Sequence, residues 1–300
     1  MDVLLILGAL VAPLLYAVTN HLDKVLLHEY EDSSLTVWTI SLLVSAVPAG
    51  IIFICNPEVI SMDSWLIGVM FLNGLLNTIL LRLYLMAMDQ DEPTATITFY
   101  QLVPVFGVLL GYLVLNEFFS SLDFLGMAFV MVGTSFMIFA TSKVTLRLRT
   151  VVLMAGASLC WAGESTIFKL VAIEGDVWQA LFWENFAMFC YGVMALLLPS
   201  VRKSIAVVAK RPGKMLTYSA MNESLYILGN ISASIMLTLV PVAMNLLFNT
   251  FQTFFVLGIG LLISRFIIGY EKELTRNIIG KYIVAILISS VGVYLIGEWE

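Results

Sequence analysis

The stretch Leu83–Gly126 reads LYLMAMDQDEPTATITFYQLVPVFGVLLGYLVLNEFFSSLDFLG and alternates long apolar runs with two short polar breaks. The breaks are Asp89–Pro93 and Asn116–Ser121. A helix needs roughly 20 apolar residues to cross a hydrocarbon core of about 30 Å, and the run between the breaks has about that length. The spacing therefore predicts membrane-spanning helices joined by short loops.

The same pattern extends along the whole chain. Its 300 residues are 60% hydrophobic and only 12% charged, whereas a soluble domain has roughly 25% charged residues. Because Leu216–Ile268 is too long for one span, we divide it at Pro241. Ten spans result, with little room for a soluble domain: Val3–Leu27, Leu35–Cys55, Trp65–Met88, Thr94–Leu115, Leu122–Ala140, Val151–Val171, Trp178–Leu198, Leu216–Leu239, Val242–Ile268 and Ile278–Ile296.

The distribution of charge predicts the orientation. A formal net charge of −6 offers no basic surface to a nucleic acid. The Lys and Arg residues concentrate in or beside the odd-numbered connections, above all in the predicted loop Arg202–Lys214, and Lys169 is the exception. Because cytoplasmic loops carry the excess of Lys and Arg, both termini are expected outside. We expect a multi-pass protein of the plasma membrane, the inner membrane in a bacterium.

The two halves of the sequence repeat one another. Tyr16-Ala17 precedes Lys24 as Trp161-Ala162 precedes Lys169, and Gln101 is matched by Asn249 at a similar offset. Chance matching of two apolar sequences is the alternative, but the common order favours duplication. Since each unit has an odd number of spans, the second enters the membrane from the opposite side. We therefore predict an all-α integral membrane fold of ten transmembrane helices, as two inverted five-helix repeats at residues 1–142 and 150–300.

Two motifs carry a family resemblance. Pro104-Val105-Phe106 and Asn116-Glu117 resemble the Pro-Val-Phe and Gly-Glu motifs of the drug/metabolite transporter superfamily, in its ten-helix EamA-type branch. The chain departs from the pattern at Asn116 and at Ser264-Arg265, where a second Gly-Glu pair would stand. The family is also commonly drawn with cytoplasmic termini. The resemblance implies transport of a metabolite or drug, often export, by alternating access between two five-helix bundles.

Carboxylates within the spans are the leading site candidates, because an ionisable group in the bilayer is costly. Glu164 lies about 20 Å into its predicted helix and ranks first, ahead of Glu223 and Glu184 at roughly 9–12 Å. Such a group could exchange a proton or hold a cationic substrate. The structural alternative is that Glu164 pairs with Lys169, or that these acids accept hydrogen bonds between helices.

Polar stripes at helical spacing supply the other candidates. They occur in equivalent spans of the two halves and could line a pathway or hydrogen-bond between helices. Pro104 should kink the fourth helix near its centre. By contrast, Asp23 with Lys24 is interpreted as an interfacial ion pair, and His21 as interfacial. The stripes are Tyr16, Asn20 and Lys24; Trp161, Ser165 and Lys169; Thr94, Thr98 and Gln101; and Asn245, Asn249 and Gln252.

These observations predict a secondary transporter that moves a small metabolite or drug-like solute, with proton-coupled export as the expected form. An intramembrane enzyme is an alternative, although the sequence offers no Walker loop, HExxH motif or nucleophile elbow. A non-transporting membrane adaptor or sensor with the same fold is another. The expected partners are a small-molecule substrate, the lipid bilayer and protons, with no cofactor, metal or nucleic acid, in a monomer or homodimer.

Overall fold

A computed structural model describes residues 3–29, 33–90, 96, 98–141, 147–210, 213–266 and 276–296, and every element within these ranges is helical. Two short 3-10 helices, Pro57–Ile60 and Thr98–Gln101, accompany the α-helices. The α-helices are α1 (Val3–Ala9), α2 (Val11–Glu29), α3 (Ser33–Val44), α4 (Ala46–Cys55), α5 (Ser64–Met88), α6 (Leu102–Leu115), α7 (Ser121–Thr141), α8 (Leu148–Glu174), α9 (Val177–Ala195), α10 (Pro199–Lys210), α11 (Gly213–Leu239), α12 (Val242–Asn249), α13 (Gln252–Phe266) and α14 (Arg276–Ile296).

Each predicted span coincides with helical residues, so the all-helical prediction is confirmed for these ranges. Within them three spans are interrupted: the first at Leu10, the second at Ser45 and the ninth at Thr250–Phe251. The beginning of the fourth span, including Thr94, and the end of the ninth lie outside the described residues. Apolar runs therefore locate the helices but not the breaks inside them.

Length and hydropathy qualify five helical segments as membrane spans, and a bent pair of helices would be a sixth. α11 does not qualify although it has 27 residues. Its apolar sequence is interrupted by Asn222, Glu223 and Asn230, which lowers its mean hydropathy. The segments, all within the described ranges, are Leu4–Leu27, Ser34–Cys55, Ser64–Met88, Leu148–Glu174 and Val242–Gly260, with the bent pair Val177–Ala195 and Pro199–Ala206.

The predicted loop Arg202–Lys214 is wrong in its first part, because residues up to Lys210 belong to α10. This helix turns by 98° from α9 and packs against α3. Val201 is buried whereas Arg202 and Lys203 are exposed, as in an amphipathic helix with one apolar face. The sequence alone suggested a loop because apolar residues on one face of a helix do not form a continuous run.

Asn116 explains one departure from the family pattern. It follows the last residue of α6 with φ 53° and ψ 36°, a left-handed conformation that glycine and asparagine tolerate best. The turn brings the Glu117 N–H to 3.1 Å from the Gly111 carbonyl oxygen. Asn116 can thus adopt the left-handed conformation expected of the glycine in the Gly-Glu motif, and the turn directs Glu117 inward.

Pro104 is the third residue of α6 and does not kink the middle of a helix. Its missing N–H falls in the first turn, where no intrahelical bond is lost. Further along α6, a Cβ at Gly107 would meet Leu246 and Ala243 of α12. Gly107 therefore allows close approach of these two helices.

The main helix contacts join a helix of one half of the chain to a helix of the other, and we call this the exchange pattern of helix contacts. α5 of the first half packs against α8 of the second, and α11 of the second half packs against α2 of the first. Likewise α6 packs against α8, and α13 against α2. The other main contacts join α7 with α14, α6 with α12, and α9 with α3, α4 and α5.

Candidate functional site

A cavity of about 100 Å³ lies among α2, α3, α4, α5, α8, α9 and α11, with contributions from Tyr100 and Gln252. Three carboxyl side chains line it: Asp23, Glu164 and Glu223. No Lys, Arg or His occurs among the described residues of its wall. The cavity is thus acidic and shared by helices from both halves of the chain.

Asp23 stands at the centre of a hydrogen-bond network that joins four helices. Its Oδ2 accepts from the Tyr84 hydroxyl at 3.0 Å, and its Oδ1 accepts from Asn222 Nδ2 at 2.8 Å. Asn20 Nδ2 donates to the Tyr84 oxygen at 2.6 Å, while Gln252 Nε2 donates to Asn20 Oδ1 at 2.5 Å. The expected interfacial position of Asp23 is therefore wrong, because its side chain is 7% exposed and faces the cavity.

Glu164 lines the cavity, as its depth along α8 suggested. Its Oε2 accepts from the Ser165 hydroxyl at 3.3 Å, and its backbone carbonyl accepts from Asn73 Nδ2 at 2.8 Å. The alternative in which Glu164 pairs with Lys169 is wrong, since Lys169 Nζ lies 2.7 Å from Glu117 Oε1. Because a carboxylate can accept several hydrogen bonds, Glu164 retains capacity for a group that enters the cavity.

Glu223 and Glu184 occupy different environments. Glu223 lines the cavity and accepts a hydrogen bond from the Ser41 hydroxyl. Glu184 is fully buried outside the cavity wall, where its Oε1 accepts from Asn77 Nδ2 at 2.8 Å. Its Oε2 has no hydrogen-bond partner among the described residues. Glu223 can therefore meet a ligand directly, whereas Glu184 can act only through neighbours such as Asn77 and Asn230, which do line the cavity.

Five aromatic rings form a continuous wall of the cavity. The ring centroids of Tyr16 and Trp161, which the predicted duplication matches with each other, lie 6.4 Å apart in an edge-on arrangement. Tyr16 also contacts Tyr226 at 5.7 Å. On the other side Tyr100 lies 4.8 Å from Trp161 and 6.2 Å from Tyr84. The order of the wall is thus Tyr226, Tyr16, Trp161, Tyr100 and Tyr84.

Most of the fourth and ninth span candidates lie outside the cavity. Gln101 is buried but does not line it. Asn245 Nδ2 donates to the Ala233 carbonyl at 3.3 Å, and Asn249 Nδ2 donates to the Asn245 carbonyl at 3.1 Å. For these asparagines the contacts favour the structural alternative of hydrogen bonding within and between helices. Gln252 is the exception, because it both lines the cavity and bonds to Asn20.

Lys24 and Lys169, which the predicted duplication matches with each other, each bond to a backbone carbonyl at a helix end. Lys24 Nζ donates to the Met88 carbonyl at 3.2 Å, at the end of α5. Lys169 Nζ donates to the Val240 carbonyl at 2.7 Å, just past the end of α11. Cations at helix C-termini are stabilising because the last carbonyls have no partner within the helix. Both lysines therefore serve helix ends and not the cavity.

Glu117 joins the halves at this point. Besides pairing with Lys169, its Oε2 accepts from the Val242 N–H at 2.9 Å, at the first residue of α12. The interpretation of His21 is settled by its burial and a similar contact. His21 is 4% exposed with Nε2 2.9 Å from the Val256 carbonyl, so its interfacial assignment is wrong.

Several cavity residues escaped the sequence analysis, although α11 carried a signal for them. Asn222, Tyr226 and Asn230 follow i, i+4, i+8 spacing, and all three line the cavity. The same periodicity led to the stripes on the first and sixth spans. A stripe search of every span would have found this surface, while Tyr84 and Tyr100 carried no comparable signal.

Comparisons with known proteins support the fold and the class. Residues 3–139, slightly less than half of the chain, match the profile of the EamA-like transporter family. A protein of known crystal structure superposes with a TM-score of 0.67 at 15% identity, over 98% of this chain and 95% of its own. At that identity the likeness concerns the fold alone. No curated protein matches the sequence.

Proposed function

Because residues 3–139 match the EamA-like transporter family, we propose that the chain is a secondary transporter that moves a small solute across the membrane by alternating access. The observation that carries this proposal is the cavity between helices of both halves, with charged groups that a purely structural core would avoid. A solute bound there would contact both halves at once. A relative movement of the halves could then expose it to either side of the membrane.

The proposed architecture is ten transmembrane helices in two inverted five-helix repeats, at residues 1–142 and 150–300. The exchange pattern of helix contacts supports it, since α5 with α8 is matched by α11 with α2. The equivalent contacts of Lys24 and Lys169 also support it. Two units with an odd number of spans each enter the membrane from opposite sides, as in many secondary transporters.

The hydrogen-bond network offers a means of linking ligand binding to movement. It runs from Gln252 through Asn20 and Tyr84 to Asp23 and ends at Asn222. Gln252 and Asn222 belong to the second half, and the three residues between them belong to the first. A ligand that competes for any of these bonds would change how the halves are held together. We propose that this network is the contact that holds the two halves closed during the transport cycle.

We assign proton coupling to the carboxyl groups of the cavity. The proposed direction of transport is export. Glu164 remains the first candidate, because its carboxyl lines the cavity and retains capacity for further hydrogen bonds beside that from the Ser165 hydroxyl. Glu223 follows, and Asp23 joins the set. Glu184 falls behind them because it lies outside the cavity wall. A carboxyl that releases its proton when substrate binds would couple the two movements.

The proposed setting is the plasma membrane, the inner membrane in a bacterium, with both termini outside. The amphipathic α10 supports this orientation, because a helix with exposed Arg202 and Lys203 that turns by 98° from α9 suits the cytoplasmic surface. The protein would act as a monomer or a homodimer.

The test of alternating access uses a single cysteine in the cavity wall. Ile227→Cys is introduced after Cys55, Cys160 and Cys190 are replaced, and an impermeant thiol reagent is applied to right-side-out and to inside-out vesicles. Labelling from both sides is expected of a transporter. Labelling from one side only would favour the enzyme or adaptor alternatives. A cysteine at the buried Leu26 is the control for reagent access to the protein core.

A further inference from the structure

The cavity also indicates the chemical class of the solute. We infer that the ligand is a small lipophilic amine in its protonated form, an inference that rests on the proposed function for the transport of the bound amine. Its ammonium group would lie beside the carboxyl groups of Asp23, Glu164 and Glu223 and the aromatic wall, and its apolar part would contact the apolar residues of the cavity.

The charge of the wall is the first argument. Three carboxyl groups line the cavity, and no basic side chain among the described residues of the wall offsets them. Lys169, on the same helix as Glu164, is engaged by Glu117 and by the Val240 carbonyl. Buried carboxylates are costly unless a cation or several hydrogen bonds compensate them. A cationic ligand supplies that compensation, whereas an anionic ligand would increase the cost.

The aromatic wall is the second argument. The π faces of Trp and Tyr attract cations, most strongly when the site is shielded from water. The wall places Trp161 between Tyr16 and Tyr100, with centroid distances of 6.4 and 4.8 Å. The rings alone would also accept a neutral aromatic compound by stacking. Rings together with three carboxyls favour a positive charge.

Two amide oxygens provide the third argument and narrow the class. Asn222 and Gln252 each use their NH₂ group within the network, toward Asp23 and Asn20 respectively. Their carbonyl oxygens, Asn222 Oδ1 and Gln252 Oε1, are buried and have no hydrogen-bond donor among the residues that the structure describes. A ligand with N–H groups satisfies such acceptors, but a quaternary ammonium ion does not. A protonated amine therefore fits this wall better than a fully alkylated cation.

The rest of the wall accounts for the apolar part of the ligand. A bare metal ion or ammonium ion would make no use of an apolar surface. A side chain or ring attached to the amine would bury its surface there and gain affinity. The apolar wall is formed by Pro48, Ile52, Leu80, Leu181, Met188 and Ile231.

The test compares three probes of nearly equal shape on the purified full chain in detergent. They are 2-phenylethylammonium, the neutral 2-phenylethanol and the anionic 3-phenylpropionate, and titration calorimetry measures each dissociation constant. We expect the ammonium probe to bind at least roughly tenfold more tightly than the alcohol, and the anion to bind least. Equal or tighter binding of the alcohol or the anion, or no binding of the ammonium probe at millimolar concentration, overturns the inference.

Variants then locate the binding. Glu164→Gln and Glu223→Gln should each weaken the ammonium probe roughly tenfold, and Trp161→Leu should weaken it by a similar factor. The matched controls are Glu58→Gln and Trp65→Leu, at exposed positions away from the cavity, and both should bind as the wild type does. Unchanged binding in all three cavity variants would place the amine elsewhere and contradict the inference. If a variant fails to fold, the wild-type probe series still decides.

The inference and the proposed function fail separately. If the Ile227→Cys cavity is labelled from both sides but the ammonium probe does not bind, alternating access stands and the amine is excluded. If the probe binds but labelling occurs from one side only, the amine site stands and the transport proposal falls.

Discussion

Gly229 of α11 lies directly against the ring of Tyr16: a Cβ at Gly229 would come within 2.7 Å of Tyr16 Cε1. Tyr16 cannot move freely, because Trp161 and Tyr226 contact its other sides. The absence of a side chain at Gly229 therefore fixes the position of the aromatic wall. It also joins a helix of the second half to a residue of the first.

Gly229→Ala should displace Tyr16 and destabilise the protein by about 1–3 kcal/mol, the usual cost of overpacking. The thermal midpoint in detergent and the flux in proteoliposomes would both fall. Gly68→Ala in α5 is the control, since a Cβ there meets nothing within 4 Å. In a helix that change should be neutral or stabilise by up to roughly 1 kcal/mol. Equal midpoints for the two variants would contradict the role given to Gly229.

Glu164→Gln should preserve folding while removing the pH dependence of solute flux, because the amide is nearly isosteric and cannot titrate. The carboxyl group of Glu184 interacts electrostatically with Glu164, and the flux of the wild type and the variant is measured from about pH 5 to about pH 9. Glu58→Gln, at an exposed position, provides the unaffected control. A variant with the wild-type pH profile would exclude Glu164 as the coupling residue and move Glu223 ahead of it.

The Lys169–Glu117 pair should contribute to stability as a unit. Its side chains are 10% and 11% exposed, so removing one partner leaves a nearly buried charge. Lys169→Met or Glu117→Gln alone should each destabilise by about 3 kcal/mol, and the double variant should lose less than the sum. Denaturation midpoints of the four proteins complete the cycle. Additive losses would show that the pair does not act as a unit.

The orientation of the protein in the membrane can be tested with two cysteines at positions that are proposed to lie on opposite sides of it. Lys203→Cys on α10 is the probe for the proposed cytoplasmic side, because Lys203 is exposed. The neighbouring Ser204 is buried, so a cysteine there would be shielded from the reagent. In a background without Cys55, Lys203→Cys should react with an impermeant thiol reagent only after the cells are permeabilised. The exposed native Cys55, at the end of the second span, should react in intact cells and serves as the control. The reverse result would place both termini in the cytoplasm.

Hydropathy predicted the helices well because the cost of leaving a backbone polar group in lipid acts on every residue of a span. It could not predict the breaks at Leu10 and Ser45, which depend on how neighbouring helices pack. For the same reason no pattern in the sequence indicated that α10 turns away from α9. These features belong to tertiary structure and leave little trace in a one-dimensional average.

The site shows a similar division. Glu164, which lines the cavity, could be selected because depth along a helix can be counted, and Tyr16 with Trp161 because the predicted duplication matched them. Asp23 was misjudged by the same count, since its place near the end of a span suggested an interface. Its contacts with Tyr84 and Asn222, which are far away in sequence, hold it in the cavity. Distance along the chain measures depth but not which neighbours surround a side chain.

The pairing of Lys169 with Glu117 between the halves has a further consequence for the proposed cycle. If the two repeats exchange their shapes as the carrier turns over, contacts that recur in both halves contribute equally to both end states and cancel. Only positions at which the two repeats differ then determine which end state is populated in the absence of substrate. At the position that would be equivalent to Glu117 the sequence holds Arg265, so the Lys169–Glu117 pair is one contact in which the proposed repeats differ. The population of the resting conformation would then change when this one pair of residues is substituted, with every helix left in place.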